Sequence, residues 1–412
     1  MPPQPTTAQR KGRDNARHLR RNLGACHSAA VPLDARLRQR LAALDAQGLH
    51  RELPEIRERD GVQYLLRGRP VVGFCSNDYL GLAQAPSSEG PPSGAASSRL
   101  ICGDLELHRT AERRLAQLVG ADDAVLFPSG FQLNVGVLPA ILSPEDTVYS
   151  DALNHASIID GLRLARARRI ILDHLAAPLR GEPMSPGGLR WWITESIFSM
   201  DGDAARPEAL SSALDEGCNL YIDDAHGFGL HPGGTGWPQS HGLQPTLYVG
   251  TLSKALGCAG AFVAGSTTAC TWIRTRARSF VFSTGTSPAV VASILAGLDR
   301  LTGAQGEDAR RRLRENLAHV ADALRLPQVP VAPIIPIVLG SNERTVAVAN
   351  ALLEHGWHVQ AIRPPTVPVG ASRLRLTLSA AHTPAQIDGL VASLRELLGT
   401  THHAFTGAPA TS

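Results

Sequence analysis

Short apolar runs recur through the middle of the chain: AVLF (124–127), TVY (147–149), RIIL (169–172), WWIT (191–194), LYI (220–222), LYV (247–249) and AFVA (261–264). None alternates with polar residues, so each predicts a strand buried on both faces. The stretches between them are long enough for crossover helices, so the sheet is expected to be largely parallel. From about residue 330 the pattern changes, and PIIPIVLG, WHVQAI and RLRLTLS predict three further strands with helices between them. Helical spacing appears in three places. Leu33, Leu37, Leu41, Leu44 and Leu49 predict a helix within 31–53. Leu105, Ala111, Leu115, Leu118 and Val119 share one side of a helix over 105–119 that stops at Gly120. Near the end, Thr383 predicts an N-cap, Pro384 fits the first turn, and Gln386 completes a capping box. Ile387, Leu390, Val391, Leu394 and Leu397 then form the buried stripe of that last helix.

These elements predict an α/β architecture: a mostly parallel central sheet with helices on both faces, followed by a smaller C-terminal α+β domain. The divisions expected are a basic tail over 1–30, a helical arm over 31–59, a large α/β domain over 60–300, a small domain over 301–400 and a second tail over 401–412. Residues 83–98 (AQAPSSEGPPSGAASS) read as a loop. The tail changes the reading of charge. Residues 1–22 carry a net +5 of the whole chain's +3, which leaves the remainder at −2. A slightly acidic body argues against nucleic acid as a partner. The tail is expected to be disordered, with an arginine-rich transit peptide and an over-long translation start as the alternatives. No apolar run reaches the roughly 18–20 residues that cross a membrane. Six scattered cysteines with no C-x-x-C pair fit a reduced, cytoplasmic protein.

Ligands of open parallel sheets bind beyond the carboxyl ends of the strands. AVLF is followed by Pro128-Ser129-Gly130-Phe131, and TVY by Ser150-Asp151 and then Asn154-His155. WWIT is followed by Glu195-Ser196 and then Ser199, LYI by Asp223-Asp224-Ala225-His226, and LYV by Gly250-Thr251 and then Lys254. A metal could draw on Asp223, Asp224 and His226, but adjacent carboxylates on an extended chain point to opposite faces, so no metal site is expected. The glycine fingerprint of a nicotinamide site is missing. Lysine itself is the informative residue. Of the 40 basic side chains only Lys11 and Lys254 are lysines. A guanidinium neither deprotonates in practice nor forms an imine; an amine in a suitable environment does both. Pyridoxal phosphate requires such an amine, an acid beside its ring nitrogen, and neutral donors for its phosphate. Lys254, Asp223, and Thr251 with Ser129-Gly130-Phe131 supply these in turn.

From about Asp60 to Thr383 the chain resembles the α-oxoamine synthases, pyridoxal-phosphate enzymes of fold type I within the class II aminotransferases. The resemblance lies in FCSNDYLGL (74–82), SSRLICG (97–103) with His108, FPSGFQLN (127–134), DALNHAS (151–157), TESIFSMDGD (194–203), IDDAHGFG (222–229) and TLSKALG (251–257). The stretch 361–383 is most similar to the branch that condenses L-alanine with a pimeloyl thioester, carried on coenzyme A or on acyl carrier protein, in biotin synthesis. By this resemblance Lys254 holds the cofactor and takes the α-proton of the amino acid. Asp223 pairs with the ring nitrogen, His155 stacks on the ring, and His226 and Ser199 contact its hydroxyl edge. Gly130, Phe131 and Thr251 hold the phosphate. Asn77 and Arg375 take the amino-acid carboxylate; the acyl substrate falls to Thr366 and to Arg51, or to His50 beside it. A homodimer is implied, with both subunits contributing to each site.

Three departures stand out. The segment between Leu82 and Ser97 is short and lacks the family's glycine-rich turn. Ser253 stands where this branch more often has glycine, and the loop 230–241 (LHPGGTGWPQSH) is irregular. They keep two alternatives open: a sibling synthase with another amino acid or acyl thioester, or a cofactor-binding protein with little catalysis.

Overall fold

A computed structural model describes residues 32–49, 53, 55–83, 92–178 and 185–399 of the chain. By internal contacts the chain forms two units, residues 1–53 and 54–412. Within the first, the expected helix spans Pro32–Ala46, shorter than 31–53, and Leu33, Leu37, Leu41 and Leu44 on it are exposed. Arg51 and His50 lie outside the described residues.

In the second unit all seven mid-chain runs form strands of one sheet: β4 (Asp123–Phe127), β5 (Thr147–Asp151), β6 (Arg168–Leu172), β7 (Arg190–Glu195), β8 (Asn219–Asp223), β9 (Leu247–Thr251) and β10 (Ala261–Gly265). Their order is β4-β10-β9-β8-β7-β5-β6. The pairs from β6 to β9 are parallel; β10 alone runs against both of its neighbours. β4, β5, β7, β8, β9 and β10 are buried almost throughout, as continuous apolar runs require.

Before this sheet come β1 (Ile56–Asp60), β2 (Gln63–Leu66) and β3 (Arg69–Gly73). After it come β11 (Ile334–Gly340), β12 (Trp357–His358), β13 (Gln360–Ile362) and β14 (Ser372–Thr377). WHVQAI is therefore two strands rather than one. Trp357 and His358 pair in parallel with β3, whereas residues 360–362 pair antiparallel with β14. Val359, buried between them, is the hinge at which the chain passes from one sheet to the other. By strand pairing, residues 56–73 group with the C-terminal part of the chain.

The helix over Glu106–Val119 begins one residue later than its apolar stripe, because Leu105 is the extended N-cap; Gly120 closes it in the left-handed region. Pro384–Leu398 carries the expected capping box, with Thr383 accepting from the Gln386 N–H. Gly257 has φ +70°, and a Cβ there would meet the Ala83 nitrogen at 2.4 Å. The lysine-bearing turn is thus pressed against the start of the shortened segment, and only glycine fits. Among the described residues no helix is long and apolar enough to cross a membrane.

Candidate active site

Strand register sets the floor of the site. Glu195 lies beside Asp223 at the ends of β7 and β8, and Thr251, Ala261 and Phe127 form a row across β9, β10 and β4. The adjacent carboxylates of Asp223 and Asp224 part to opposite sides. Asp223 Oδ2 accepts from Asn134 Nδ2 at 2.9 Å, and its Oδ1 from the Ala225 N–H at 3.1 Å. Asn134 is itself oriented by the Tyr221 hydroxyl at 2.5 Å. Asp224 points away into a closed nest of the Tyr248 hydroxyl (2.7 Å), the Trp237 N–H (2.9 Å) and the Ser196 hydroxyl. Burial pushes its carboxyl up to about 7. Asp224 therefore anchors the loop after β8, while Asp223 faces the site. Among the described residues no group of three His, Cys, Asp or Glu side chains is placed to hold a metal ion.

Lys254 follows β9, and its Nζ lies 2.7 Å from His226 Nε2. On the far side of that ring, Nδ1 is 2.6 Å from the Tyr79 hydroxyl. Tyr79 has one hydroxyl hydrogen and directs it to Asn77 Oδ1 at 3.2 Å. With the protonated lysine donating to Nε2, the imidazole proton is assigned to Nδ1, which donates to the Tyr79 oxygen. Burial first, and the charges of Lys254 and Arg375 next, hold His226 well below its usual pKa, so it is neutral. Desolvation likewise lowers the Lys254 amine to about 8, against the opposing pull of Asp223 and Glu195. At that value about a tenth of the amine is neutral at pH 7, compared with well under a thousandth for an ordinary lysine.

The series continues to the C-terminal part. Arg375, buried on β14, donates from Nη1 to Asn77 Oδ1 and Thr377 Oγ1 at 3.2 Å, and from Nε to the Ser199 carbonyl at 2.5 Å. Its guanidinium also acts on the Tyr79 hydroxyl. An unbroken line of hydrogen bonds thus joins Arg375, Asn77, Tyr79, His226 and Lys254. His155 caps the helix Ala156–Leu164, its Nδ1 accepting from the Ser157 N–H at 3.2 Å. Desolvation lowers its pKa, with Asp223 opposing and Lys254 reinforcing the shift.

At the other end of the row, Ser129 caps the helix Gly130–Ile141 and accepts from the Gln132 N–H. The first amides of that helix, Gly130 and Phe131, point outward with no helical partner. A Cβ on Gly130 would stand 3.9 Å from Ala261, the register partner of Thr251. Amides and the Thr251 hydroxyl therefore converge on one edge. Thr251 Oγ1 donates to the Gly260 carbonyl at 3.3 Å and lies 3.0 Å from Ser253 Oγ.

Thr366 sits in an exposed turn closed by its N–H on the Arg363 carbonyl at 3.1 Å, and Arg51 lies outside the described residues. Ser199 contributes its carbonyl to the contact with Arg375. Three participants carry no role in the sequence reading: Tyr79, Asn134 and Glu195. Glu195 is buried, its Oε1 has no partner, and burial together with Asp223 raises its carboxyl well above the usual range. Its signals in the sequence are its position directly after WWIT and its place in TESIFSMDGD.

Residues 69–394 match the family described as aminotransferase class I and II. The 8-amino-7-oxononanoate synthase of Herminiimonas arsenicoxydans is 40% identical over 376 residues, covering 86% of this chain and 97% of that protein. Its namesake from Anaeromyxobacter dehalogenans is 42% identical over 384 residues, covering 87% and 94%. Among solved structures, a serine palmitoyltransferase from S. paucimobilis with PLP and myriocin bound superposes with a TM-score of 0.80 at 25% identity, covering 90% of this chain and 99% of that one. Strand order, the walled-in lysine and these similarities agree: the chain belongs to the class I and II aminotransferase family, with relatives named 8-amino-7-oxononanoate synthase.

Proposed function

We propose that this chain is a pyridoxal-phosphate-dependent C-acyltransferase. It condenses L-alanine with a pimeloyl thioester, on coenzyme A or acyl carrier protein, giving 8-amino-7-oxononanoate, the free thiol carrier and carbon dioxide in biotin synthesis. The observation that carries the reading is Lys254: an amine lowered to about 8, held 2.7 Å from a neutral histidine, with Asp223 nearby.

The donor set fits the cofactor. The outward amides of Gly130 and Phe131 with the Thr251 hydroxyl suit a phosphate. Asp223, fixed by Asn134, suits a protonated ring nitrogen, and His155 suits the ring face. His226 Nε2 and Ser199 suit the hydroxyl edge. When bound, pyridoxal phosphate supplies an aldehyde for the lysine and an electron sink for charge at the α-carbon. The chain's own residues do the rest. The Arg375 guanidinium and the Asn77 amide bind the alanine carboxylate and orient the α-carbon. Lys254 Nζ takes the α-proton, a task its lowered pKa suits near neutral pH. His226, neutral and fixed through Tyr79, accepts a hydrogen bond from Nζ and holds it in place. Thr366 and Arg51 are assigned to the acyl substrate.

The active form is proposed to be a cytoplasmic homodimer. Leu100, Ile101, Phe131 and Phe282 are exposed, and the Ser98–Thr284 bridge and the Gln132–Ser283 hydrogen bond gather their segments together. An apolar group of this kind beside the phosphate edge suits a second copy.

Release of coenzyme A from pimeloyl-CoA tests the reading, with alanine compared against glycine and serine and the pimeloyl chain against shorter ones. Alanine with pimeloyl-CoA should be preferred. Faster turnover with serine or glycine, or with another acyl chain, would assign the chain to a sibling synthase; no turnover with any pair would leave a cofactor-binding protein.

A further inference from the structure

His174 takes no part in the chemistry above, yet both of its ring nitrogens are engaged by carboxylates. Nδ1 lies 3.0 Å from Asp151 Oδ1, and Nε2 lies 2.8 Å from Asp203 Oδ2. A carboxylate only accepts, so an imidazole between two of them carries hydrogen on both nitrogens and a positive charge. The two acids hold its pKa up near 10, and the ring edge packs against Phe198 at 4.5 Å and 90°.

Each acid belongs to a turn that carries a site residue. Asp151 ends β5 and accepts the N–H groups of Leu153 and Leu175 at 2.7 and 2.8 Å. It thereby shapes the turn that delivers His155. Asp203 closes the turn 198–203 through its carbonyl, which accepts the Phe198 N–H at 2.9 Å. That turn presents the Ser199 carbonyl to Arg375 Nε. Asp203 Oδ1 is buried with no hydrogen-bond partner, and among the described residues His174 is the one side chain bonded to this carboxylate. Remove the cation, and the two turns lose their common tie.

We propose that His174 is a positioning residue, an imidazolium strap that sets the His155 turn and the Ser199 turn at a fixed separation. It acts on the cofactor through His155 and on the alanine carboxylate through Ser199 and Arg375. The inference rests on the proposed function for its substrate arm, while its cofactor arm is read without turnover.

Full-length His174→Gln and Asp203→Asn chains test it through two readouts: equilibrium binding of pyridoxal phosphate to the apoprotein, and KM against kcat for alanine. His174→Gln should weaken cofactor binding and raise alanine KM by about tenfold each, with kcat within about threefold of the parent. Asp203→Asn should move both in the same direction. Because the groups act as a unit, the double variant should be no worse than His174→Gln alone. Unchanged binding and KM in either single variant, or losses that simply add in the double, would overturn the strap. So would a His174→Gln chain that fails to fold beside an Asp203→Asn chain of parental binding and KM. A parent that binds pyridoxal phosphate but does not turn over alanine defeats the proposed reaction alone, and the binding arm still decides on His174. A parent that binds none defeats both.

Discussion

Tyr79→Phe removes one atom from the line that joins the carboxylate-binding pair to the lysine. Tyr79 is fully buried, and its hydroxyl lies 2.6 Å from His226 Nδ1 and 3.2 Å from Asn77 Oδ1. Phenylalanine keeps the ring and its packing, so the cost is electrostatic. The Nδ1–H of His226 loses its acceptor in a dry site, a penalty of about 1–3 kcal/mol. The imidazole can escape by moving its proton to Nε2. That nitrogen then presents a hydrogen to Lys254 instead of a lone pair, and the lysine loses its positioning partner. Either route withdraws about 1–3 kcal/mol from the arrangement that reacts, which is a fall of about five- to 150-fold in kcat/KM for alanine. The acid limb of the pH profile, where the rate rises as Lys254 loses its proton, should also move from its position near pH 8. Coenzyme A release measured across pH 6–10 checks both, with thermal unfolding as a control for the fold. A variant within twofold of the parent and an unmoved profile would refute the assignment of Nδ1–H and the role of the line.

Gly257→Ala should destabilise the chain by about 2 kcal/mol or more, read as a lowered denaturant midpoint, because its φ of +70° and the Ala83 nitrogen at 2.4 Å leave no room for a methyl. His382 is buried against Phe74, accepts from the Ser379 N–H at 2.9 Å, and has its pKa lowered to about 4, chiefly by burial. Its folded pKa lies below the unfolded value, so the unfolded chain binds the extra proton and stability falls as pH drops from about 6.5 to 4; denaturation at pH 7 and pH 5 should show this slope reduced in His382→Asn, by at most about 3 kcal/mol over the full window. Ser253→Gly takes away the hydroxyl 3.0 Å from Thr251 Oγ1, and should weaken pyridoxal phosphate binding by about threefold while leaving pyridoxal binding unchanged, as equilibrium titrations of the apoprotein would show.

Much of this architecture is written in local pattern. Six of the mid-chain runs announce their strands because a strand buried on both faces has no polar positions to interrupt it; RIIL, also expected to be buried, forms the edge strand β6 and is largely exposed, because only one neighbour covers it. Caps at Gly120 and Thr383 are equally local. The reading falters where a partner is distant. Nothing within WHVQAI tells that residues 357–358 join β3, nearly 300 positions earlier, while residues 360–362 turn to β14. Chemistry divides in the same way. Lys254, Asp223, His226 and Thr251 follow strand ends, so topology alone gathers them. Tyr79, Asn134 and His174 matter through contacts with residues distant in the sequence, and no spacing encodes those. Glu195 does follow a strand end, but its protonation depends on burial beside Asp223, which only the register reveals.

The central claim is that Lys254 carries the cofactor covalently. Reduction of the pyridoxal-phosphate-loaded chain with borohydride, digestion and mass mapping test it directly. The account predicts a stable pyridoxyl mark on the peptide containing Lys254 and none on a Lys254→Ala chain that still folds. A mark on another residue of the parent, or a covalent adduct that persists in Lys254→Ala, would contradict it.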